Sequence, residues 1–194
     1  MSLSTRFRAL PLSSMTTAPE LPKWQRLASP DDPALGLLTD LQHSPCVVAH
    51  QQDGLDQTLH LMMRAGVRMV FVSDADGTLV GVVTADDIQG ERPVVHASAR
   101  QMSRHELTVA DVMVPVTQWD TVDLSTVRNA SLGDVAETMH QHDLRYLLVT
   151  QKKGGKTMLR GLFSATRLEM AMNTTIEPDL HSRSFAELGQ VLSH

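Results

Sequence analysis

In one segment of the chain, apolar residues first follow the spacing of a helix and then form the continuous run of a buried strand. Leu55, Leu59, Met62 and Met63 fall at positions i, i+4, i+7 and i+8, which forms one apolar stripe. This stripe predicts a helix over Asp53–Arg64, and Gly66 follows it as a residue suited to the left-handed turn that ends many helices. The unbroken run Val67–Ser73 then predicts a strand that is buried on both faces.

A hairpin and a short helix complete this block. The acidic segment Asp74–Gly77 predicts a turn, and Leu79–Val83 predicts the partner strand. Thr84 ends that strand. Asp86–Ile88 then begins a short helix, whose free N–H groups face the same place as the Thr84 hydroxyl.

The segment ahead of the block is more irregular. Residues 1–32 mix Ser, Thr and Pro with scattered Leu, so we expect a flexible N-terminal tail. Asp32 or a neighbour is expected to cap a short helix that continues to Leu41. Pro45–Val48 predicts a short strand that leads into the block.

The same order of helix, strand, turn and strand returns later in the chain. The offset is 77 residues up to the strand (132−55 and 145−68) and 80 after it (161−81), so the second turn is three residues longer. The second copy predicts a helix at Leu132–Met139, a strand at Leu144–Val149 and a basic turn at Gln151–Lys156. Two copies indicate a pseudo-symmetric pair with equivalent clefts between them, since a solenoid needs at least three units.

The two copies set the expected domain boundaries. We place the first repeat at 33–92, a connector at 93–107 and the second repeat at 108–173. Within the connector, His96–Met102 is predicted to be helical. Residues 174–194 are expected to form a C-terminal tail, where Ser184–Leu192 has the spacing of a short amphipathic helix that could dock on the body or on a partner.

Composition narrows the classes of function. Hydrophobic residues make up 42% of the chain and charged residues 20%, which is typical of a protein with a core. The net charge of 17−22 = −5 argues against sequence-independent nucleic-acid binding, which relies on Lys and Arg. Cys46 is the single cysteine, so a reducing cytoplasm is the simplest location. No apolar run approaches the roughly 18 residues that span a membrane.

The chemical signal is strongest where the last strand of each repeat ends. The Thr84 hydroxyl and nearby N–H groups could take a phosphate, and Asp87 could accept both hydroxyls of a ribose. The second repeat keeps a hydroxyl at Ser164 but has Arg167 in place of the aspartate. Arginine cannot accept a hydrogen bond, although it could hold a phosphate or a carboxylate or pair with an acidic neighbour. The two clefts are therefore expected to differ in ligand or in occupancy.

These repeats resemble the tandem CBS domain family, whose paired unit is called a Bateman module. The resemblance covers about residues 34–172 and rests on the two copies, on Gly81–Ile88 and on Thr108–Met113. It implies an α+β fold of two β-α-β-β-α repeats packed about a pseudo-two-fold axis, and a homodimer. Gly161–Ala165 and Ser184–Ala186 are also similar to a bacterial group of stand-alone CBS pairs that brings no known activity.

The resemblance also implies where a ligand would bind. Members of the family bind adenosine-containing ligands in the clefts between repeats, with the hydroxyl near phosphate and the aspartate on ribose. The middle strand and the loop before the first strand frame the base. Carried onto this chain, the ligand-binding positions are Thr84, Asp87, Val67, Arg68, Met69, Thr39 and Asp40. The corresponding positions of the second cleft are Ser164, Arg167, Leu144 and Arg145.

The implied function is a non-enzymatic sensor. Its regulatory ligand would be AMP, ADP, ATP or S-adenosylmethionine, with no required cofactor and an unidentified protein partner. No nucleophile or acid–base pair is spaced for catalysis. His140 and His142 lie two residues apart on a helix and do not share a face, so they predict a helix end and no metal site.

Two alternatives stay open. Thr84 and Asp87 could simply cap a helix, since both residue types are favoured there, and Arg68 and Arg145 could be exposed charges at strand ends. The chain could also be a structural or protein-interaction scaffold without a small ligand, because Arg167 and bulky residues of the middle strand, Met69 and Phe71, could fill the clefts.

Overall fold

A computed structural model describes residues 10–19 and 27–176, and the helix expected over 184–192 lies outside them. The strands are β1 (Thr39–Asp40), β2 (Val48–His50), β3 (Met69–Ser73), β4 (Leu79–Thr84), β5 (Val114–Pro115), β6 (Thr121–Asp123), β7 (Tyr146–Lys153) and β8 (Lys156–Ser164). The α-helices are α1 (Leu55–Ala65), α2 (Ala85–Gln89), α3 (Arg92–Arg100), α4 (Val109–Val112), α5 (Leu124–Val127), α6 (Leu132–Gln141) and α7 (Ala165–Met172). Short 3₁₀ turns cover Ala34–Leu37, Arg104–Glu106 and Val116–Gln118.

The strands form two four-stranded sheets with matching topology. One sheet has the order β2-β3-β4-β5 and the other the order β1-β8-β7-β6. In each, a short parallel strand lies beside the middle strand (β2 with β3, β6 with β7), and the middle strand pairs antiparallel with the last strand of its repeat. The repeated sequence therefore folds as two similar α+β units, as predicted.

Each repeat supplies a short first strand to the sheet of the other repeat. Strand β1 pairs antiparallel with β8, where Thr39 lies opposite Leu162. Strand β5 pairs antiparallel with β4, where Val114 lies opposite Val82. The predicted boundaries at 33–92 and 108–173 follow the repeats along the sequence. The sheets do not follow these boundaries completely, because each includes one edge strand from the other repeat.

A glycine makes room for each exchanged strand. A Cβ atom at Gly161 would lie 2.6 Å from the carbonyl oxygen of Thr39, and one at Gly81 would lie 2.9 Å from that of Val114. Real Cβ atoms do not approach oxygen this closely, so only hydrogen fits at these two positions. The exchange therefore depends on equivalent glycines in the two repeats.

The two sheets pack face to face, and the side chains of each middle strand alternate between the helix side and the side that meets the other sheet. In β3, Val70 and Val72 are fully buried against the helices of the first repeat, while Met69 and Phe71 point to the opposite face. That opposite face meets Leu148 of β7 in a central apolar cluster shared by both repeats. Burial on both sides explains why this strand is apolar throughout.

Most local predictions agree with the structure. Helices α1 and α6 lie where the apolar stripes place them, and Gly66 has a left-handed φ of +67°. The second hairpin turn is shorter than predicted, because β7 continues to Lys153 and only Gly154 and Gly155, both with positive φ, make the turn. Helix α3 begins at Arg92, earlier than the predicted start at His96, and Pro93 is accommodated in its first turn.

The prediction of a helix that continues to Leu41 is wrong. A 3₁₀ turn covers Ala34–Leu37, and Leu38 is already extended with φ −61° and ψ 123°. Thr39 and Asp40 are therefore free to pair with β8 as β1. Pairing with a distant strand outweighs local preference here.

Candidate functional site

Two clefts lie between the repeats. The first cleft is a cavity of about 400 Å³ at the end of β4, where Thr84 and Asp87 meet Tyr146 of the second repeat. The second cleft is a cavity of about 370 Å³ at the end of β8, around Ser164 and Arg167. Both volumes fall within the range of small-molecule sites, roughly 300–1,000 Å³. Met69 and Tyr146, which are equivalent in the two repeats (69 + 77 = 146), line both clefts.

Thr84 and Asp87 form a reciprocal cap at the start of α2. The Asp87 N–H donates to Thr84 Oγ1 at 3.1 Å, while the Thr84 N–H and hydroxyl donate to Asp87 Oδ2 at 2.9 and 2.7 Å. This capping box satisfies the free N–H groups at the helix start. It also fixes the carboxylate of Asp87 at the cleft.

The other carboxylate oxygen of Asp87, Oδ1, can still accept a hydrogen bond. Its Oδ1 lies 3.0 Å from a terminal guanidinium nitrogen of Arg92, which also donates to the Val112 carbonyl at 3.1 Å. Each carboxylate oxygen has two lone pairs, so Oδ1 can accept one further hydrogen bond. The Arg92 side chain is half exposed and can turn toward an anion in the cleft.

Aromatic and cationic side chains surround this carboxylate. Trp119 lies in the lining and is held by its indole N–H, which donates to the Val114 carbonyl at 3.1 Å. Tyr146 forms another part of the wall, and burial raises the pKa of its phenol against smaller opposing effects of Arg68 and Arg145. The cleft thus combines stacking surfaces, one oriented carboxylate and arginines.

The second cleft differs at the equivalent position. Ser164 precedes α7 as its N-cap residue but makes no side-chain cap. Arg167 occupies the place of Asp87 and donates to Thr39 Oγ1 at 2.9 Å. Because arginine cannot accept the N–H of Ser164, the capping box cannot form.

The structure groups the predicted site residues differently from the sequence. Leu144 and Arg145, assigned to the second cleft, line the first one with Thr84 and Asp87. Thr39, Val67 and Arg68, assigned to the first cleft, line the second one with Ser164 and Arg167. The reason is that each cleft combines the middle strand of one repeat with the last strand of the other.

Asp40 is not among the residues that line either cleft. Its carboxylate pairs with Arg160 of β8 and lies 2.9 Å from the imidazole Nδ1 of His43. The assignment of Asp40 to a ligand-facing position therefore disagrees with the structure. Neighbouring side chains in a strand point to opposite faces, so Thr39 and Asp40 cannot both face the cleft.

Sequence reasoning missed Trp119, Tyr146 and Arg92. Trp119 follows a two-residue strand that carries no periodic signal, and Arg92 is separated from Asp87 by the end of a helix. Tyr146 had a usable signal, since it is the only tyrosine and lies at the repeat position of Met69.

An ion pair joins the two clefts. A terminal guanidinium nitrogen of Arg68, in the lining of the second cleft, lies 2.7 Å from Asp86 Oδ1, in the lining of the first. The pair is solvent-exposed, so its own contribution to stability is small. Its position is informative because a ligand in either cleft meets one of its two charges.

Other kinds of site were sought over the same part of the chain. Within residues 10–19 and 27–176, no three His, Cys, Asp or Glu side chains come together as a metal site. Each helix in those ranges is too short or too polar to span a bilayer.

Comparison with known proteins identifies the fold. Residues 38–93 match the family model of the CBS domain. A crystal structure of a conserved protein from Pyrococcus horikoshii is similar, with a TM-score of 0.52 and 21% identity over 74% of this chain and 93% of that one. CBSX2, a CBS-pair protein from Arabidopsis thaliana, in complex with AMP has a TM-score of 0.50 and 23% identity over 72% and 95%.

A third similar structure is the CBS domain pair of MJ0100 in complex with 5′-methylthioadenosine and S-adenosyl-L-methionine. Its TM-score is 0.50, with 16% identity over 74% of this chain and 98% of that one. No curated protein sequence matches. The family match shows that the first repeat, over residues 38–93, is a CBS domain, and the similar structures show that the chain has the α+β fold of CBS-pair proteins.

Proposed function

We propose that the first cleft binds an adenosine-containing ligand and that the protein is a regulatory module without catalytic activity. The observation that carries this proposal is the free acceptor position on Asp87 Oδ1, which the capping box with Thr84 holds at the cleft. A ribose hydroxyl needs such an acceptor. Because Oδ2 is already occupied, we infer one ribose hydroxyl on Asp87, where the sequence suggested two.

Other residues in the lining of the first cleft suit the phosphate and the adenine base of such a ligand. Arg92 and Arg145 line the same cleft and supply positive charge for phosphate. The Thr84 hydroxyl proton is used by Asp87, so the arginines are better placed than Thr84 to hold a phosphate. Trp119 and Tyr146 offer apolar faces for the adenine base.

Similar proteins support the class of ligand. The CBSX2 structure holds AMP, and the MJ0100 structure holds 5′-methylthioadenosine and S-adenosyl-L-methionine. For this chain we propose AMP, ADP, ATP or S-adenosylmethionine as the regulatory ligand. Binding would shift the relative positions of the repeats, by no more than the ligand's preference for one arrangement over the other.

The proposal includes a cellular setting. We infer a cytoplasmic homodimer, because one exposed cysteine suits a reducing compartment and paired repeats of this family associate with two-fold symmetry. We infer that the signal passes to an unidentified protein partner.

The competing function is a scaffold for protein interactions. Thr84 and Asp87 form a complete capping box at the start of α2, and this observation favours a structural role for both. The two functions differ in what the loss of Asp87 does, since a scaffold loses only the cap and a sensor also loses its ligand response.

Thermal unfolding in the presence of AMP, ADP, ATP, S-adenosylmethionine or buffer alone tests the proposal. A ligand at a hundred times its dissociation constant stabilises the fold by about 2.7 kcal/mol, which raises the melting temperature by roughly 5–10 °C. We expect this rise with at least one adenosyl ligand, and we expect Asp87→Ala to abolish it.

Asp134→Ala is the matched control. Asp134 closes an equivalent capping box with Ser131 at the start of α6, away from the lining of both clefts. Both variants should lose about 1 kcal/mol from the cap, but Asp134→Ala should keep the ligand response. A response that persists in Asp87→Ala would contradict the assigned site. No response to any ligand in the folded wild-type protein would favour the scaffold.

A further inference from the structure

The second cleft has a charge opposite to that of the first. Among the described residues, four aspartates line the first cleft: Asp86, Asp87, Asp120 and Asp143. The second cleft has no acidic residue in its described lining, and its charged side chains are Arg68 and Arg167. It therefore attracts anions.

The donors of the second cleft are available. Arg167 donates one hydrogen bond to Thr39 and forms no ion pair with a described carboxylate, so most of its five N–H donors are free to bind another group. Ser164 has no side-chain cap, unlike Thr84. The same substitution that breaks the capping box thus leaves a guanidinium and a hydroxyl at one end of the cavity.

A ribose does not fit this chemistry. Its hydroxyls are best accepted by a carboxylate such as that of Asp87, and no carboxylate lines the described part of the second cleft, where the side-chain acceptors are hydroxyl oxygens. Asp40 is close in sequence to Thr39, but its carboxylate is engaged by Arg160 and His43. Adenosine binding is therefore disfavoured at this site.

The rest of the cavity is apolar. Its walls include Val47, Val67, Phe71, Leu162 and Met170. An apolar surface of this kind favours a ligand with a hydrocarbon body, since burial of apolar area gains about 25 cal/mol per Å².

We propose that the second cleft binds a small amphipathic anion. Its hydrocarbon body lies against the apolar walls, and its terminal carboxylate or phosphate is bound by the guanidinium of Arg167 with the Ser164 hydroxyl. Arginine binds both groups through paired N–H donors. This inference does not depend on the adenosine site in the first cleft, because the residues that carry it line only the second.

A native cysteine in the second cleft can report on ligand binding there. Cys46 is the only cysteine, lines this cleft and is accessible to solvent. Because the thiol is accessible, its modification by a thiol reagent can be followed directly. A ligand in the cleft should slow this modification.

The experiment combines Cys46 modification with isothermal titration of the full chain. The probes are octanoate for a carboxylate, octyl phosphate for a phosphate and octanamide for a neutral body of the same length. We expect at least one anion to bind and to protect Cys46 saturably, and we expect octanamide to bind about tenfold more weakly or not at all.

Two variants locate the binding. Arg167→Gln should weaken binding of the anion about tenfold. Arg64→Gln removes the same charge from an exposed position in the last turn of α1 and should leave binding unchanged. Equal binding of octanamide, full retention of binding in Arg167→Gln, or no binding of either anion at millimolar concentration would each overturn the proposal.

Discussion

Arg167 is the side chain that distinguishes the two clefts most clearly. At the equivalent position of the first repeat, Asp87 closes a capping box with Thr84. At the start of α7, Ser164 has no such partner, and Arg167 turns to Thr39. One residue thus changes both the helix cap and the charge of the cleft.

Arg167→Asp is predicted to restore the missing cap. An aspartate three residues after Ser164 can accept from the Ser164 N–H and hydroxyl, as Asp134 does with Ser131. We expect the free energy of unfolding in urea to rise by about 0.5–1 kcal/mol. Arg167→Ala removes the same arginine without a new cap, so it should give no rise. Equal stability of the two variants would contradict this account of α7.

Gly161→Ala is predicted to disturb the exchanged strand β1. The added Cβ would meet the Thr39 carbonyl oxygen at 2.6 Å and a methyl group of Leu38 at 2.9 Å. We expect a loss of roughly 1–3 kcal/mol in the free energy of unfolding, because the backbone must move. Gly36→Ala is the control, since no atom lies within 4 Å of its added Cβ. A loss no larger than that of the control would contradict the close approach of β1 to β8.

At the scale of elements, serine or threonine with an acidic partner starts several helices. Boxes of this kind begin α2, α4 and α6, with Thr84–Asp87, Thr108–Asp111 and Ser131–Asp134 as the pairs. In α6, hydrogen bonds from the Ser131 backbone N–H and hydroxyl lower the pKa of Asp134 below its usual value. The cap of α6 is therefore sensitive to acid.

The acid dependence has a definite sign. A carboxyl whose pKa is lower in the folded state stabilises the fold above the unfolded pKa, and this contribution is lost as the pH falls through the folded pKa. We expect the difference in unfolding free energy between wild type and Asp134→Ala to be constant from about pH 7 to about pH 5 and to shrink below about pH 4. Urea unfolding across this range measures it. A difference that stays constant to about pH 3 would contradict the role of the ionised cap.

The elements that the sequence predicted are those with a local signal. The apolar stripe of α1, the apolar run of β3 and Gly66 after the helix each depend on neighbouring residues. Strands β1 and β5 are two residues long and are defined by partners far away in the chain. Their pairing has no local pattern, which is why a helix was expected up to Leu41.

At the scale of the whole molecule, the packing of the two repeats explains why the lining of each cleft was only partly predicted, because each cleft combines the middle strand of one repeat with the last strand of the other. Thr84 and Ser164 each end a strand, and Asp87 and Arg167 follow three residues later in the first turn of the next helix, so the local sequence was enough to single out all four. The partners across each cleft follow from packing, so Leu144 and Arg145 were placed with Ser164 although they lie with Thr84. Sequence motifs predicted the residues at the ends of β4 and β8, and the packing of the repeats decides which other residues line each cavity.

The ion pair of Arg68 and Asp86 is predicted to couple the clefts. An anion in the second cleft attracts Arg68 and leaves the Asp86 carboxylate unpaired beside the first cleft, where it repels phosphate. This prediction depends on ligand binding at both sites. Octanoate should weaken AMP binding about fivefold, and AMP should weaken octanoate binding by the same factor. Isothermal titration with each ligand in the presence of the other measures both effects.

Arg68→Gln removes this connection. The variant should bind AMP with nearly the same affinity whether or not octanoate is present. Coupling of unchanged size in Arg68→Gln would show that the signal takes another route, and independent binding in the wild-type protein would contradict the coupling itself.

The central claim is that the two similar clefts differ, so that only the first has the carboxylate that an adenosine ligand requires. Isothermal titration of the full chain with AMP measures this directly through the stoichiometry. The account predicts one AMP per chain, lost in Asp87→Ala and retained in Arg167→Gln. Two AMP molecules per chain, or one that is lost with Arg167 and retained without Asp87, would contradict it.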